Sequence, residues 1–256
     1  MSSTRVALVS GAAQGLGLAI ALRLAEDGLD VAVNDIASKS EELKKVVADI
    51  EAKGRRSIAV TADVSSEEEV KAMVEKVAKE LGGLDVMVAN AGVGSIKPLV
   101  ETTAEEFDRV MAINARGVML QYKYAALQMV QQGRGGRIIG ACSSAGKRAN
   151  LGLCAYSAAK FAVRGLTQNA AQELAPYGIT VNAYAPAVIA TPMTMHPDDA
   201  VNGGPGSTAM GLFGFPPGTP AIGIEAVTSL VSYFISPAAA HLSGQSIALD
   251  AGRTFD

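Results

Sequence analysis

Two patterns of apolar and polar positions take turns along the 256-residue chain. Short apolar runs rich in β-branched residues, at 5–9, 30–34, 57–62, 84–89, 137–141, 179–183 and 246–250, predict strands buried on both faces. Between them, apolar residues recur every three or four positions. This predicts helices from Leu18 to Gly28, over 40–53, from Ser66 to about 81, from Thr103 onward through Asn114, through Tyr156 to about 177, and over 225–236. Ser66 through Glu69 and Thr103 through Glu106 have the form of capping boxes at two helix starts. The helix carrying Tyr156 has Ala, Leu and Val on several faces, which predicts core on one side and a second subunit on the other. Strands alternating with helices predict a doubly wound parallel sheet in the α/β class, with ligands at the carboxyl ends of the strands. No repeat or linker divides the chain, so residues 1–256 are expected to form a single domain.

One stretch breaks the alternation. Residues 194–223 are rich in glycine and proline and carry Met195, Met210, Leu212, Phe213 and Phe215. A loop this long in a compact domain predicts a mobile apolar lid, spanning about 191–223. The uncharged run from Ala226 to Leu249 is interrupted by Pro237, His241 and Gly244, which suits a buried helix, loop and strand better than a membrane span. The first residues lack the basic-then-apolar pattern of a secretory leader, and a cytoplasmic setting is expected.

Composition narrows the function. With 49% hydrophobic residues the chain can build a sizeable core without staples. Cys142 and Cys154 are too few for a disulfide framework and are expected as small buried thiols. The net charge of −3 hides an asymmetry: residues 1–164 hold 21 Lys and Arg against 19 Asp and Glu, whereas residues 165–256 hold only Arg253 against six acids. The last third therefore offers no basic cluster for nucleic acid, and a pocket it shapes suits a neutral small molecule. His196 and His241 are the only histidines and no ligand cluster surrounds either, so no metal site is expected.

The chemistry-bearing residues fall at predicted strand ends. Between the first strand and helix lie Gly11, Gln14, Gly15, Leu16 and Gly17. Strand, glycine-rich turn and helix are the context of a dinucleotide site: Gly11 permits a tight turn, Gly15 lets backbone approach a pyrophosphate, and Gly17 lets helix pack close to strand. The spacing is G-x-x-x-G-x-G rather than G-x-G-x-x-G. Asp35 ends the second strand, 24 residues after Gly11, where an acid holds the ribose hydroxyls of NAD and repels a 2′-phosphate. Gln14 stands where an Arg or Lys would favour NADP, whereas Lys39, Arg55 and Arg56 argue the other way; NAD is the expected cofactor. Asp63 and Val64 follow the third strand, where adenine would lie, and Asn90, Ala91 and Gly92 leave room for a flat ligand. Tyr156 and Lys160 are one helical turn apart, so the ammonium should lower the phenol pKa from about 10, and Ser143 can reach the same pocket. Asn114, in mid-helix, signals an internal hydrogen bond or bend, or a water-holding group near Tyr156.

Together these motifs resemble the short-chain dehydrogenase/reductase family along essentially the whole chain. The resemblance rests on Gly11-x3-Gly15-x-Gly17, Asp63, Asn90-Ala91-Gly92, Asn114, Ser143, Tyr156-x3-Lys160, Asn182 and Pro186 through Thr191. It implies a Rossmann-like sheet of seven strands in the order 3-2-1-4-5-6-7, helices on both faces, and assembly as a homotetramer or homodimer through the two long helices. It also implies hydride transfer between NAD(H) and a secondary alcohol or ketone, with Tyr156 as proton donor and Ser143 bonded to the carbonyl oxygen. Lys160 would hold the nicotinamide ribose and lower the Tyr156 pKa, Asn114 would hold a water, and Pro186, Val188 and Thr191 would border the nicotinamide. Ile139 through Ser143, Tyr156 through Gln168 and Leu174 through Asn182 look like the acetoin/diacetyl reductase (2,3-butanediol dehydrogenase) branch. Ala89, Ala187 and an almost uncharged lid depart from that branch. The substrate is expected to be neutral, either a small acetoin-like ketone or a bulkier terpenoid- or polyketide-type ketone or alcohol, held by Ser143, Met193, Met195 and Phe213. An NADP(H)-dependent carbonyl reductase and a non-catalytic dinucleotide sensor are the alternatives.

Overall fold

The computed structural model describes residues 4–216, 219 and 221–252. Seven strands, β1 (Val6–Ser10), β2 (Asp30–Asp35), β3 (Ser57–Thr61), β4 (Val86–Ala89), β5 (Gly136–Ala141), β6 (Ile179–Pro186) and β7 (Ser246–Leu249), form one parallel sheet in the order β3-β2-β1-β4-β5-β6-β7. The period-two alternation of side chains explains why these runs are apolar throughout. Val6 and Leu8 face one core while Ala7 and Val9 face the other. α1 (Gly15–Glu26), α2 (Ser40–Ala52) and, after the last crossover, α9 (Ile224–Ile235) cover one face. α3 (Glu67–Leu81), α5 (Gly117–Gln132) and α6 (Cys154–Leu174) cover the other.

The predicted elements are all present, and their ends differ for local reasons. β4 begins at Val86 rather than at residue 84, because the Leu84 backbone is bonded to the Gln132 side chain at both N–H and carbonyl. The Asp85 carboxylate, in turn, accepts bonds from Arg134 and the Val6 N–H. Both capping boxes close on one side only. Ser66 and Thr103 accept the N–H groups of Glu69 and Glu106, but Glu69 turns to the Asp63 N–H and Glu106 pairs with Arg109. α6 is not buried all round in the single chain: Ala159 and Val163 enter the core, whereas Phe161 is 43% exposed.

Two departures shape the site. The helix through Asn114 is interrupted: α4 (Ala104–Met111) passes through a π-helical turn (Ala112–Arg116) into α5. A π turn adds one residue to the helix and is common at functional positions. The expected irregular lid contains two short helices, α7 (Asp199–Asn202) and α8 (Ser207–Leu212). Its Pro217, Gly218 and Pro220 lie outside the described residues.

The glycine turn is sterically closed to larger residues at Gly17, where a Cβ would overlap the Gly11 carbonyl oxygen and crowd the Asn90 amide. Gly17→Ala is therefore expected to cost about 1–3 kcal/mol of stability through overpacking. Chemical denaturation measures this, and an unchanged midpoint would contradict it.

Candidate active site

Ser10, at the end of β1, accepts the N–H groups of Asn90 and Ala91, each at 3.0 Å. The Asn90 amide donates to the Ser10 carbonyl at 2.8 Å and accepts from the Tyr184 hydroxyl at 2.7 Å. The carboxyl ends of β1, β4 and β6 are thus tied into one platform. Sequence reasoning missed Ser10 and Tyr184; the available signal was a tyrosine inside a buried strand, whose hydroxyl requires a buried partner.

Beside this platform runs a groove of about 500 Å³. Its walls include Gly11, Gln14, Gly15, Leu16, Gly17, Asp35, Asp63, Val64, Asn90, Ala91, Gly92, Tyr156, Lys160, Pro186 and Thr191. Asp35 is oriented by the Ala13 N–H at 3.1 Å and the Ile36 N–H at 2.9 Å, which leaves acceptor capacity on both oxygens. The cations that argued for a phosphate are otherwise engaged. Lys39 pairs with Glu42, while Arg55 and Arg56 pair with Asp30, at the opposite end of β2 from Asp35. Arg109 also lines the groove, a residue sequence reasoning missed, and it pairs with Glu106.

At the far end of the groove stand three of the four residues expected to be catalytic, Ser143, Tyr156 and Lys160, while Asn114 is buried and does not line it. Tyr156 and Lys160 share one face of α6, and Ser143 follows β5. The Ser143 hydroxyl accepts the Ala145 N–H at 3.1 Å and is hydrogen-bonded to the Tyr156 phenol. Lys160 is 3% exposed, and its Nζ donates to the Ala141 carbonyl at 2.7 Å, lying 5.3 Å from the centre of the Tyr156 ring.

The expected fall in the Tyr156 pKa is overturned. Burial pushes the phenol up to about 12, against the opposing pull of the Ser143 bond. Burial also brings the Lys160 ammonium down to about 8. The physical reason is that the ammonium lies against the ring face and donates to the Ala141 carbonyl rather than to the phenol oxygen, so it does not offset the cost of burying a phenolate.

Asn114 is fully buried. Its Oδ1 accepts the Val93 N–H and its Nδ2 donates to the Val93 carbonyl, both at 2.8 Å. Of the readings open in the sequence, the side chain follows the internal hydrogen bond. It clamps the loop after β4 beside Lys160, where a Cβ on Gly92 would lie 3.0 Å from Asn114 Oδ1 and 3.8 Å from Lys160 Nζ.

A second cavity, of about 620 Å³, opens on the other side of Tyr156 and Ser143. Met193, Met195 and Phe213 line it as expected, joined by Leu212 and Phe215. Val188 belongs here and not in the groove: its side chain packs with Ala209 and Met210, and its neighbour Ile189 lines the groove instead. The walls are mostly apolar, but Arg148, from outside the last third, and His196 and Asp250, from within it, contribute polar groups. Ser143, Tyr156, Ala187, Met193 and Thr194 line both spaces. A ligand in each would meet at the Tyr156 phenol. Among the described residues no group of three or more His, Cys, Asp or Glu could hold a metal, and no helix is long and apolar enough to cross a membrane.

The short chain dehydrogenase family model matches residues 5–202. The chain belongs to this family. It is 48% identical over 264 residues to a short-chain dehydrogenase/reductase of Armillaria gallica, covering all of this chain and 98% of that one. It is 38% identical to the L-2,3-butanediol dehydrogenase of Corynebacterium glutamicum, covering 99% and 100%. Among solved structures, carveol dehydrogenase from Mycobacterium avium in complex with NAD superposes with a TM-score of 0.87 at 30% identity, covering 97% and 96%. A short chain dehydrogenase from Burkholderia cenocepacia in complex with NADP gives 0.86 at 35%, covering 98% of both chains. As a family member the protein is an oxidoreductase for alcohol- or ketone-type substrates that binds a nicotinamide dinucleotide.

Proposed function

We propose that this protein is an NAD(H)-dependent oxidoreductase that interconverts a neutral secondary alcohol and its ketone. The observation that carries the proposal is the shared wall: Ser143 and Tyr156 border both the groove and the apolar cavity. The groove fits a nicotinamide dinucleotide, because Gly11 and Gly17 keep side chains out of the turn and Asp35 keeps acceptor capacity at one end. The hydride is the chemistry such a cofactor supplies when bound there. The rest falls to this chain. Ser143 orients the carbonyl oxygen and Tyr156 hands it a proton, or takes one back in the oxidation. Lys160, held by Ala141, and Asn114, through Val93, fix the floor on which the nicotinamide end would sit. Pro186 and Thr191 border the same end.

The preference for NAD follows from Asp35 and from the pairing of Lys39, Arg55 and Arg56 away from it. A carboxylate facing a 2′-phosphate is repulsive. Asp35→Ala is therefore expected to raise the KM for NADH about tenfold, which is about 1.4 kcal/mol, and to lower that for NADPH. Steady-state kinetics with both cofactors check this. A wild-type preference for NADPH would support the NADP(H) alternative, with which the Burkholderia cenocepacia complex agrees.

For the substrate, cavity size favours the bulkier class. An acetoin-sized molecule has only six non-hydrogen atoms and leaves most of the 620 Å³ cavity unfilled, a volume within the range of sites for larger ligands. Met193, Met195, Phe213 and Phe215 suit an apolar skeleton with one polar function. The small-ketone reading is supported by the butanediol dehydrogenase relative. NADH oxidation with diacetyl and with a hydrophobic cyclic ketone such as camphor separates the two, and a higher kcat/KM for diacetyl would reverse the choice. Exposed Leu127 on α5 and Phe161 on α6 support a homodimer or homotetramer formed through these helices. The two free thiols, Cys142 and Cys154, support a reducing, cytoplasmic setting.

A further inference from the structure

We propose that Asp199 is the positioning residue that sets the outer wall of the substrate cavity, and through it the choice among ketones. The inference rests on the 620 Å³ cavity being the substrate site, as proposed above.

Asp199 opens α7, and although it belongs to a surface segment it is only 6% exposed. Its carboxylate points back into the segment and accepts three backbone N–H groups. Oδ2 receives His196 at 3.0 Å and Gly206 at 2.8 Å, and Oδ1 receives Thr208 at 2.9 Å. Its own carbonyl accepts the Gly204 N–H at 2.7 Å and the Ser207 hydroxyl at 3.3 Å. One residue thus satisfies donors on both sides of the turn between α7 and α8, where Gly203, Gly204 and Gly206 hold φ values of +114°, +112° and +79°.

The tied pieces are the cavity wall itself. Upstream of Asp199 lie Met195 and His196; downstream lie Thr208, Ala209, Leu212 and Phe213. Asp199 does not line the cavity, so it acts only through these neighbours. Ala209 and Met210 of α8 pack on Val188, but Met195 is 59% exposed and Leu212 61% exposed, so burial anchors only part of this stretch and the Asp199 bonds tie the rest to it. Hydrogen bonds to a charged acceptor are the stronger kind, and three on one carboxylate fix a geometry that short helices of four and six residues could not hold alone. The same bonds, that from His196 foremost, keep the carboxyl well below the usual carboxylate range, so the charge that organises the wall persists across the working pH range.

A bulky ketone touches this wall over much of its surface, whereas a four-carbon ketone reaches Ser143 and Tyr156 with little help from it. Loosening the wall should therefore act on KM for large substrates and leave the chemical step alone. Asp199→Ala and Asp199→Asn are compared with the unaltered protein, using NADH with camphor and with diacetyl. Expected in Asp199→Ala are a KM for camphor raised about tenfold or more, kcat within about threefold, an unchanged NADH dissociation constant and a collapsed preference for camphor over diacetyl. Asp199→Asn keeps the shape and one amide oxygen, so it should fall between the two, and it carries the test if the alanine variant does not fold. Unchanged camphor KM in both variants, or kcat and NADH affinity falling together with it, overturns the proposal. Calorimetric binding of camphor to the NADH-saturated proteins separates the two readings. A protein that binds camphor without reducing it sinks the bulky-ketone substrate reading alone, and equal camphor affinity in all three proteins sinks the role of Asp199 alone.

Discussion

Tyr156→Phe is expected to fold, to bind NADH as before, and to reduce its ketone about a thousandfold more slowly, within the range that loss of one general acid produces. The substitution removes one oxygen and keeps the ring that borders the groove and the cavity. With the phenol pushed up to about 12, the group is protonated at neutral pH, which is the state a proton donor to a forming alkoxide requires. The oxidation runs in the opposite direction and needs the phenolate, so alcohol oxidation should rise as pH is raised above neutrality, while ketone reduction should fall as the buried Lys160 ammonium and then the phenol lose their protons. Turnover numbers and pH profiles in both directions test this. A Phe variant within tenfold of the normal rate would remove Tyr156 from the chemistry.

Lys160→Met is expected to abolish turnover and yet to make the protein more stable. The folded ammonium titrates near 8 against its ordinary 10.5, a gap that corresponds to about 3 kcal/mol of burial cost. Because the folded value is the lower one, that cost is fully present below about pH 8, fades between 8 and 10.5 as the folded protein releases its proton first, and is absent above. Methionine removes it, while losing the bond to the Ala141 carbonyl forfeits about 1–2 kcal/mol. The net gain of about 1–2 kcal/mol raises Tm by a few degrees at pH 7 and shrinks toward pH 10. Thermal unfolding across that range measures it. A variant less stable at pH 7, or a gain that grows with pH, would show that the buried charge is better compensated than its surroundings indicate.

Much of this was legible in the residues. The seven strands, the glycine turn and the meeting of Ser143, Tyr156 and Lys160 follow from apolar runs, glycine spacing and one helical turn, all of which are local patterns, whereas the strand order was implied only by the family resemblance. What escaped depends on depth and direction. The Tyr156 pKa moved the opposite way because spacing tells which charges are neighbours but not how little water surrounds them. Val188 was placed beside the cofactor, but its chain is extended there, and in extended backbone a one-residue step exchanges faces; Ile189 took the groove and Val188 the cavity. The lid looked irregular because its order comes from the carboxylate of Asp199 bonded to backbone N–H groups, which leaves no apolar period, and its helices are too short to show one.

The π turn over Ala112–Arg116 carries one last consequence. One extra residue turns everything beyond it by about 100° about the helix axis. α4 can therefore set Val110 against Ala155 and Ala159 of α6, while α5, continuous with it, sets Val118, Tyr122 and Met129 into the sheet core. The turn works as a phase shifter between two cores with different bearings. Removing a single residue from it would swing the whole of α5 out of step and carry Asn114 off Val93. This short stretch should thus be among the least forgiving of length changes in the molecule, although substitutions on its outer face leave the shift intact.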